Sequence, residues 1–206
     1  MDTIKPGDIV AINHYSGINP YKSVVLDVQP EFMKVKLAKE FAVMSFIVGD
    51  PAVVGIQKSD GIALKGCNVL GLKTKEDTIE LKIDKLETGA ENRQWERYPV
   101  SIYTDIRTRE CKKKQIGIIK DMSYYGMMIY SKADLPVNEQ LEVDVYMDKH
   151  IVFLKTNIAR KIQSEHYFQY GLSIVYEDSS SLNYMKDYIK RITQEQEEQI
   201  RKVKIK

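Results

Sequence analysis

Gln115-Ile116-Gly117-Ile118-Ile119-Lys120-Asp121-Met122-Ser123-Tyr124-Tyr125-Gly126-Met127-Met128-Ile129-Tyr130 reads as a strand, a turn and a second strand. Gln115 to Lys120 alternates polar and apolar side chains, as a half-buried strand requires. Asp121, Ser123 and Gly126 then break the pattern with residues that favour turns. Met127 to Tyr130 resumes it. This stretch makes the second half of the chain β, and similar units flank it on both sides.

Downstream, Leu141 to Met147 and His150 to Leu154 read as a hairpin around Asp148-Lys149. Thr156 to Ile162 and Gly171 to Tyr176 follow. With Pro99 to Ile106 upstream, these runs supply about six strands, enough to close a small barrel. A helix ends the fold: Ser180 or Ser181 can cap it, and Leu182, Met185, Ile189 and Ile192 recur at helical steps. That stripe is expected to pack on the barrel. Beyond Ile192 the pattern predicts a frayed, solvated helical tail, with Glu197 and Arg201 in supporting spacing.

Upstream of residue 89 lies a second set of short strands: Asp8 to Asn13, Ser23 to Val28, Met33 to Leu37, Ala52 to Gln57, Ile62 to Leu72 and Thr78 to Leu86. Their spacing predicts another small barrel or sandwich. The polar segment Glu87 to Glu96 reads as a linker. The expected class is mostly β: residues 1–88 form one small barrel, 89–98 a linker, and 99–206 a six-stranded barrel with a C-terminal α-helix.

Composition narrows the function. Hydrophobic residues at 43% and charged residues at 29% are ordinary for a soluble globular chain. A net charge of +2 is too small for a general nucleic-acid binder. No apolar run is long enough to span a membrane, and the first residues lack the apolar core of a signal peptide. Cys67 and Cys111 are far apart and have no metal or redox spacing, which points to a reducing, cytoplasmic setting. His14, His150 and His166 are scattered, without metal or triad spacing. No metal, cofactor or catalytic activity is expected. Lys112-Lys113-Lys114 reads as the solvated end of a hairpin.

The linker carries the chemistry. Asn92-Arg93-Gln94-Trp95-Glu96-Arg97 places two arginines in R-x-x-x-R, ahead of D-x-S-x-x-G at Asp121 to Gly126. Guanidinium groups grip phosphate bidentately and stack on flat rings. Asp121 offers a carboxylate acceptor, Ser123 a hydroxyl and Gly126 a place for close approach. Either motif alone is common in a chain with 31 lysines and arginines. Their order and context give the signal: antiparallel pairing of the first two strands would bring the turn and the arginine loop to one end of the barrel. Two close guanidiniums repel, and the neighbouring sequence offers only Glu91 and Glu96 as partners. Trp95 is expected either to shield a ligand or to pack a domain junction, and Tyr124 or Tyr125 to border the site.

Arg93, Arg97, Asp121, Ser123 and Gly126 match the signature of PilZ domains, bacterial receptors for cyclic di-GMP. The resemblance covers about residues 92–195, with Tyr170-Gly171-Leu172-Ser173-Ile174 matching the usual late strand. The preceding region, with Pro6-Gly7-Asp8 and Phe46-Ile47-Val48-Gly49-Asp50, resembles the N-terminal β domain of YcgR-type flagellar brake proteins. The resemblance implies that Arg93 and Arg97 hold the phosphates and stack on guanine. Asp121 and Ser123 would bind a guanine edge, and Gly126 would leave room for the base. Asn92 stands where some members carry another arginine, and Arg160 sits where members sometimes offer a side chain to the base; both are accessory positions. The implied role is a non-enzymatic, cytoplasmic bacterial effector whose interdomain arrangement changes with cyclic di-GMP. Its implied partner is flagellar motor or stator machinery. The alternatives are a PilZ adaptor acting on exopolysaccharide or adhesion machinery, and a ligand-independent protein–protein adaptor.

Overall fold

Met33-Lys34-Val35-Lys36-Leu37 shows how this sequence folds: Met33, Val35 and Leu37 are buried while the intervening lysines face outward. Successive strand side chains point to opposite faces, so such alternation buries one face of a sheet. The computed structural model describes residues 4–58, 61–84, 95–110, 113–146 and 151–205. Among them are six such strands before residue 85: β1 (Ile9–Asn13), β2 (Tyr21–Val28), β3 (Met33–Leu37), β4 (Pro51–Lys58), β5 (Gly61–Lys73) and β6 (Thr78–Ile83). They close into an antiparallel barrel in the order β1-β2-β3-β6-β5-β4, with β1 also pairing β4. Val10, Ile12, Val25, Val35, Ile79 and Leu81 fill its interior.

The second barrel comprises β7 (Tyr98–Thr108), β8 (Gln115–Met122), β9 (Gly126–Ser131), β10 (Gln140–Tyr146), β11 (Ile151–Gln163) and β12 (Phe168–Val175). Its order is β10-β11-β12-β9-β8-β7, closed by pairing of β10 with β7. Six strands arise where the sequence shows seven runs, because Lys155 is no break. It is an outward position of the single strand β11 and pairs with Glu177 across the surface. The phase change further along is absorbed by a β-bulge between Ile158 and Arg160.

Helix α1 (Ser179–Ile205) follows. Its N-terminus is capped by Asp178, two residues ahead of Ser180 and three ahead of Ser181, the expected caps. Asp178 Oδ1 accepts the Ser181 backbone N–H at 2.7 Å and the Ser180 hydroxyl at 2.8 Å. Those bonds, the Ser181 backbone N–H first, hold the Asp178 carboxyl below its ordinary pKa. Met185, Tyr188 and Ile189 join the core of the second barrel and Ile192 packs against it, whereas Leu182 stays half-exposed outside it.

By contacts the chain forms two compact units, residues 1–90 with 193–206, and residues 91–192. The helical tail is therefore not the frayed, solvated end that its charged sequence predicts. Ile200 is only 3% exposed, and it lies over Gly55 of β4. A Cβ on Gly55 would fall 2.1 Å from Ile200 Cδ1, so the glycine makes the seat for the isoleucine.

Candidate functional site

Antiparallel pairing of β7 with β8 sets Tyr98 opposite Met122 and Pro99 opposite Asp121. Arg97, just ahead of β7, therefore arrives beside Asp121, as the strand order predicts. Arg97 Nη1 donates to Asp121 Oδ1 at 2.5 Å, with the two side chains 25% and 19% exposed. The arginine has thus found a carboxylate across the sheet; Glu91 lies outside the described residues. Glu96 instead accepts from the Tyr98 hydroxyl at 3.1 Å. Arg93 and Asn92 lie outside the described residues.

Ser123 and Gly126 close the connection from β8 to β9. The Ser123 backbone N–H and hydroxyl both donate to the Gly126 carbonyl, at 2.7 and 3.1 Å. Ser123 is buried, and its hydroxyl proton is committed to the turn; its lone pairs can still accept. The tip is anchored from two sides. Tyr125 O accepts from Ile174 N at 2.9 Å, and Tyr124 O accepts from the Tyr176 hydroxyl at 2.5 Å. A Cβ on Gly126 would sit 2.8 Å from the Leu172 carbonyl oxygen. The absent side chain at Gly126 thus lets β9 and β12 approach each other.

Inward-facing Met122 and Met127 belong to the core, so their neighbours Asp121 and Met128 face outward. The register continues this outer row: Asp121 pairs with Met128, Met128 with Gly171, and Gly171 with Arg160. A Cβ on Gly171 would lie 2.6 Å from Arg160 Cγ and 2.8 Å from its Nε. Arg160 therefore folds across Gly171, on the face that carries Asp121 but three strands away.

Aromatic rings surround the turn. Trp95 lies 4.8 Å from Tyr125 and 6.0 Å from Tyr124, centroid to centroid. Tyr98 is 6.4 Å from Tyr124, and Tyr176 meets Tyr125 edge-on at 6.0 Å. Burial, then the Tyr124 hydroxyl and Glu96, push the Tyr98 phenol up to about 12. Burial, then Tyr125, raise Tyr176 to about 12 as well. Both phenols are neutral donors at physiological pH. The site thus offers one paired guanidinium, one carboxylate and flat aromatic surface. It can hold a charged, ring-bearing ligand.

Two polar networks were not legible beforehand. Lys114 is no idle hairpin lysine. Its ammonium reaches Asp105 at 2.9 Å and Asp144 at 3.4 Å. Tyr146 also donates to Asp105, at 2.5 Å, and Arg107 grips Asp144 with both terminal nitrogens, at 2.5 and 2.6 Å. A cleft of about 280 Å³ opens beside Arg107, Asp144, Phe153 and Tyr176. In the first barrel, His14 Nε2 lies 3.1 Å from Asp50 Oδ2 and its Nδ1 lies 2.7 Å from Ser16 Oγ. The same Asp50 oxygen accepts from Tyr15 and from the Ile47 N–H. This chain fastens the loop after β1 to the segment before β4. The one advance signal was Asp144, a carboxylate set between Val143 and Val145 in a strand run. Among the described residues no three metal-ligating side chains gather as a cation site. Nor, among them, is any helix long and apolar enough to cross a membrane.

Residues 91–191 match the PilZ domain family. No curated protein is matched by sequence. Among solved structures, Bacillus subtilis inhibitor of motility (MotI/DgrA) is 13% identical; the match covers 93% of this chain and 99% of that one at a TM-score of 0.43. Escherichia coli YcgR in complex with c-di-GMP is 11% identical, with 96% and 88% covered and a TM-score of 0.47. The Klebsiella MrkH–c-di-GMP complex is 11% identical, with 92% and 88% covered and a TM-score of 0.45. Arginine, aspartate and the serine-glycine turn meet on a six-stranded barrel, and the family match spans that same barrel, so residues 91–191 of this chain are a PilZ domain.

Proposed function

We propose that this chain is a cytoplasmic cyclic di-GMP effector of the YcgR-like type, without catalytic activity. The observation that carries the reading is the contact of Arg97 with Asp121. It joins the two halves of the split motif, which lie far apart in sequence, at one end of the barrel. A cyclic dinucleotide presents two phosphates and two purine faces. Arg97, together with Arg93, suits both, because a guanidinium binds phosphate through a planar fork and stacks on rings. Guanine offers N1–H and N2–H₂ donors, which the Asp121 carboxylate accepts. Ser123 accepts or steadies through the turn, and Gly126 keeps the turn close to β12. Asn92 and Arg160 are accessory positions; Arg160 shares an outer face with Asp121.

Binding exchanges the internal ion pair for ligand contacts. Arg97 turns to phosphate and Asp121 to the base, so the ligand stands between groups that otherwise satisfy each other. The arginines precede β7, in the connection between the barrels, and the turn belongs to the second barrel. Ligand therefore ties the connection to the turn and changes the interdomain arrangement. The proposed output is a contact with flagellar motor or stator machinery that slows motility. Calorimetry of the full chain with cyclic di-GMP tests the binding. Absence of heat at micromolar ligand overturns the reading. A motility assay of a deletion strain, complemented with wild type or Arg97→Ala, tests the output.

A further inference from the structure

Trp95 and Tyr125 are large rings left at the surface, 39% and 37% exposed, beside a turn whose other side chains are tucked in. A tryptophan serving only as packing hides most of its area, since ring burial dominates its energetics. Here Trp95 leans on Tyr125 at 4.8 Å with the planes tilted by 44°, and meets Tyr124 closer to edge-on, at 64°. Tyr124 is backed in turn by the Lys186 ammonium, 5.9 Å from its ring centre. The Tyr125 backbone is held by Ile174 and its ring by Tyr176. The pair is thus a supported aromatic step: Trp95 stands two residues before Arg97, and Tyr125 belongs to the Ser123–Gly126 turn.

We infer that Trp95 and Tyr125 form a stacking surface for one purine ring of the ligand, an inference that rests on the cyclic di-GMP reading above. Every base has a π-face, and stacking on an aromatic side chain needs no charge. The step therefore supplies affinity that does not depend on phosphate, while Arg97 and Asp121 supply the charge and the edge recognition. The two contributions separate by salt: phosphate contacts weaken as salt rises, and stacking does not.

Trp95 is the sole tryptophan of the chain, so its emission reports on this position alone. Full-length protein is titrated with cyclic di-GMP by calorimetry and by tryptophan fluorescence, at low and high salt. Trp95→Leu, Trp95→Phe and Tyr125→Ala are measured by calorimetry, with thermal unfolding to confirm folding. The expected result is a change in Trp95 emission that saturates at the calorimetric Kd. Trp95→Leu and Tyr125→Ala should raise Kd by about five- to a hundredfold with the salt dependence unchanged, and Trp95→Phe should recover most of the loss. A wild type that binds without any change in emission, with both truncations at wild-type Kd, overturns the stacking surface and leaves the receptor reading intact. A wild type that does not bind at all removes both.

Discussion

Arg97 Nη1 lies 2.5 Å from Asp121 Oδ1, so the cation and the carboxylate that a nucleotide would use already satisfy each other. Both side chains keep part of their surface in water, which limits what the pair adds to folding.

The first prediction separates binding from folding at this pair. Arg97→Ala should abolish most of the calorimetric heat with cyclic di-GMP. It should change unfolding free energy by less than about 1 kcal/mol, the range of partly exposed ion pairs. Urea unfolding beside calorimetry checks both. A variant that unfolds readily would mean the pair holds the fold together.

Gly126 and Gly171 should respond differently to alanine. The added Cβ at Gly126 meets the Leu172 backbone oxygen at 2.8 Å, and backbone cannot step aside without moving β12. Gly126→Ala should cost about 1–3 kcal/mol. At Gly171 the obstacle is the exposed Arg160 side chain from Cγ outward, which can clear by rotating about its Cα–Cβ bond without moving the backbone, so Gly171→Ala should cost less, about 1 kcal/mol. Thermal melts of the two variants settle the order, and equal losses would contradict it.

Gly55 and Ile200 should be coupled. Ile200→Ala empties a buried position and should cost about 2 kcal/mol or more. Gly55→Ala drives a Cβ into the Ile200 side chain, with its Cδ1 at 2.1 Å. In the double variant the new methyl occupies space that the isoleucine has left, so the combined loss should fall short of the sum. Strict additivity in a double-mutant cycle would show that the helix end is not seated there.

Acid should weaken the second barrel through Asp105. Burial alone would push its pKa up, yet hydrogen bonds from Tyr146, Lys114 and Tyr103 outweigh burial and hold the carboxyl below its ordinary value. The folded state binds this proton less readily than the unfolded chain does. The stability contributed by Asp105 is therefore complete above about pH 4, the ordinary aspartate range, and is lost as pH falls through the lowered value. Asp105→Asn should be less stable than wild type at neutral pH and should lose less on acidification to pH 3. Melting temperatures across that range provide the comparison; parallel curves would exclude Asp105 as the source.

The barrels were legible because alternation is local: Met33, Val35 and Leu37 announce their inward face within five residues. Arg97 and Asp121 were legible because their motifs are local too, and antiparallel pairing of neighbouring strands brings them together. What escaped the sequence depends on remote partners. Lys114 finds Asp105 and Asp144 on two other strands, and nothing near Lys112-Lys113-Lys114 announces them. His14 meets Asp50 across a loop. Lys155 looks like a break because its charge interrupts an apolar run, although an outward strand position takes a lysine at no cost. The helix end looks solvated because Glu197, Glu198, Arg201 and Lys202 outnumber Ile200, the one buried apolar side chain among its described residues.

The seat of Ile200 on Gly55 has a consequence for how the protein is made. Chains emerge from the ribosome N-terminus first, and domains commonly fold as they emerge. The six strands of the first barrel are complete by Ile83, yet the isoleucine that covers Gly55 is added only after the whole PilZ barrel has been synthesised. In the order of contacts, residues 91–192 are an insertion within the first unit. The barrel that is made first is finished last.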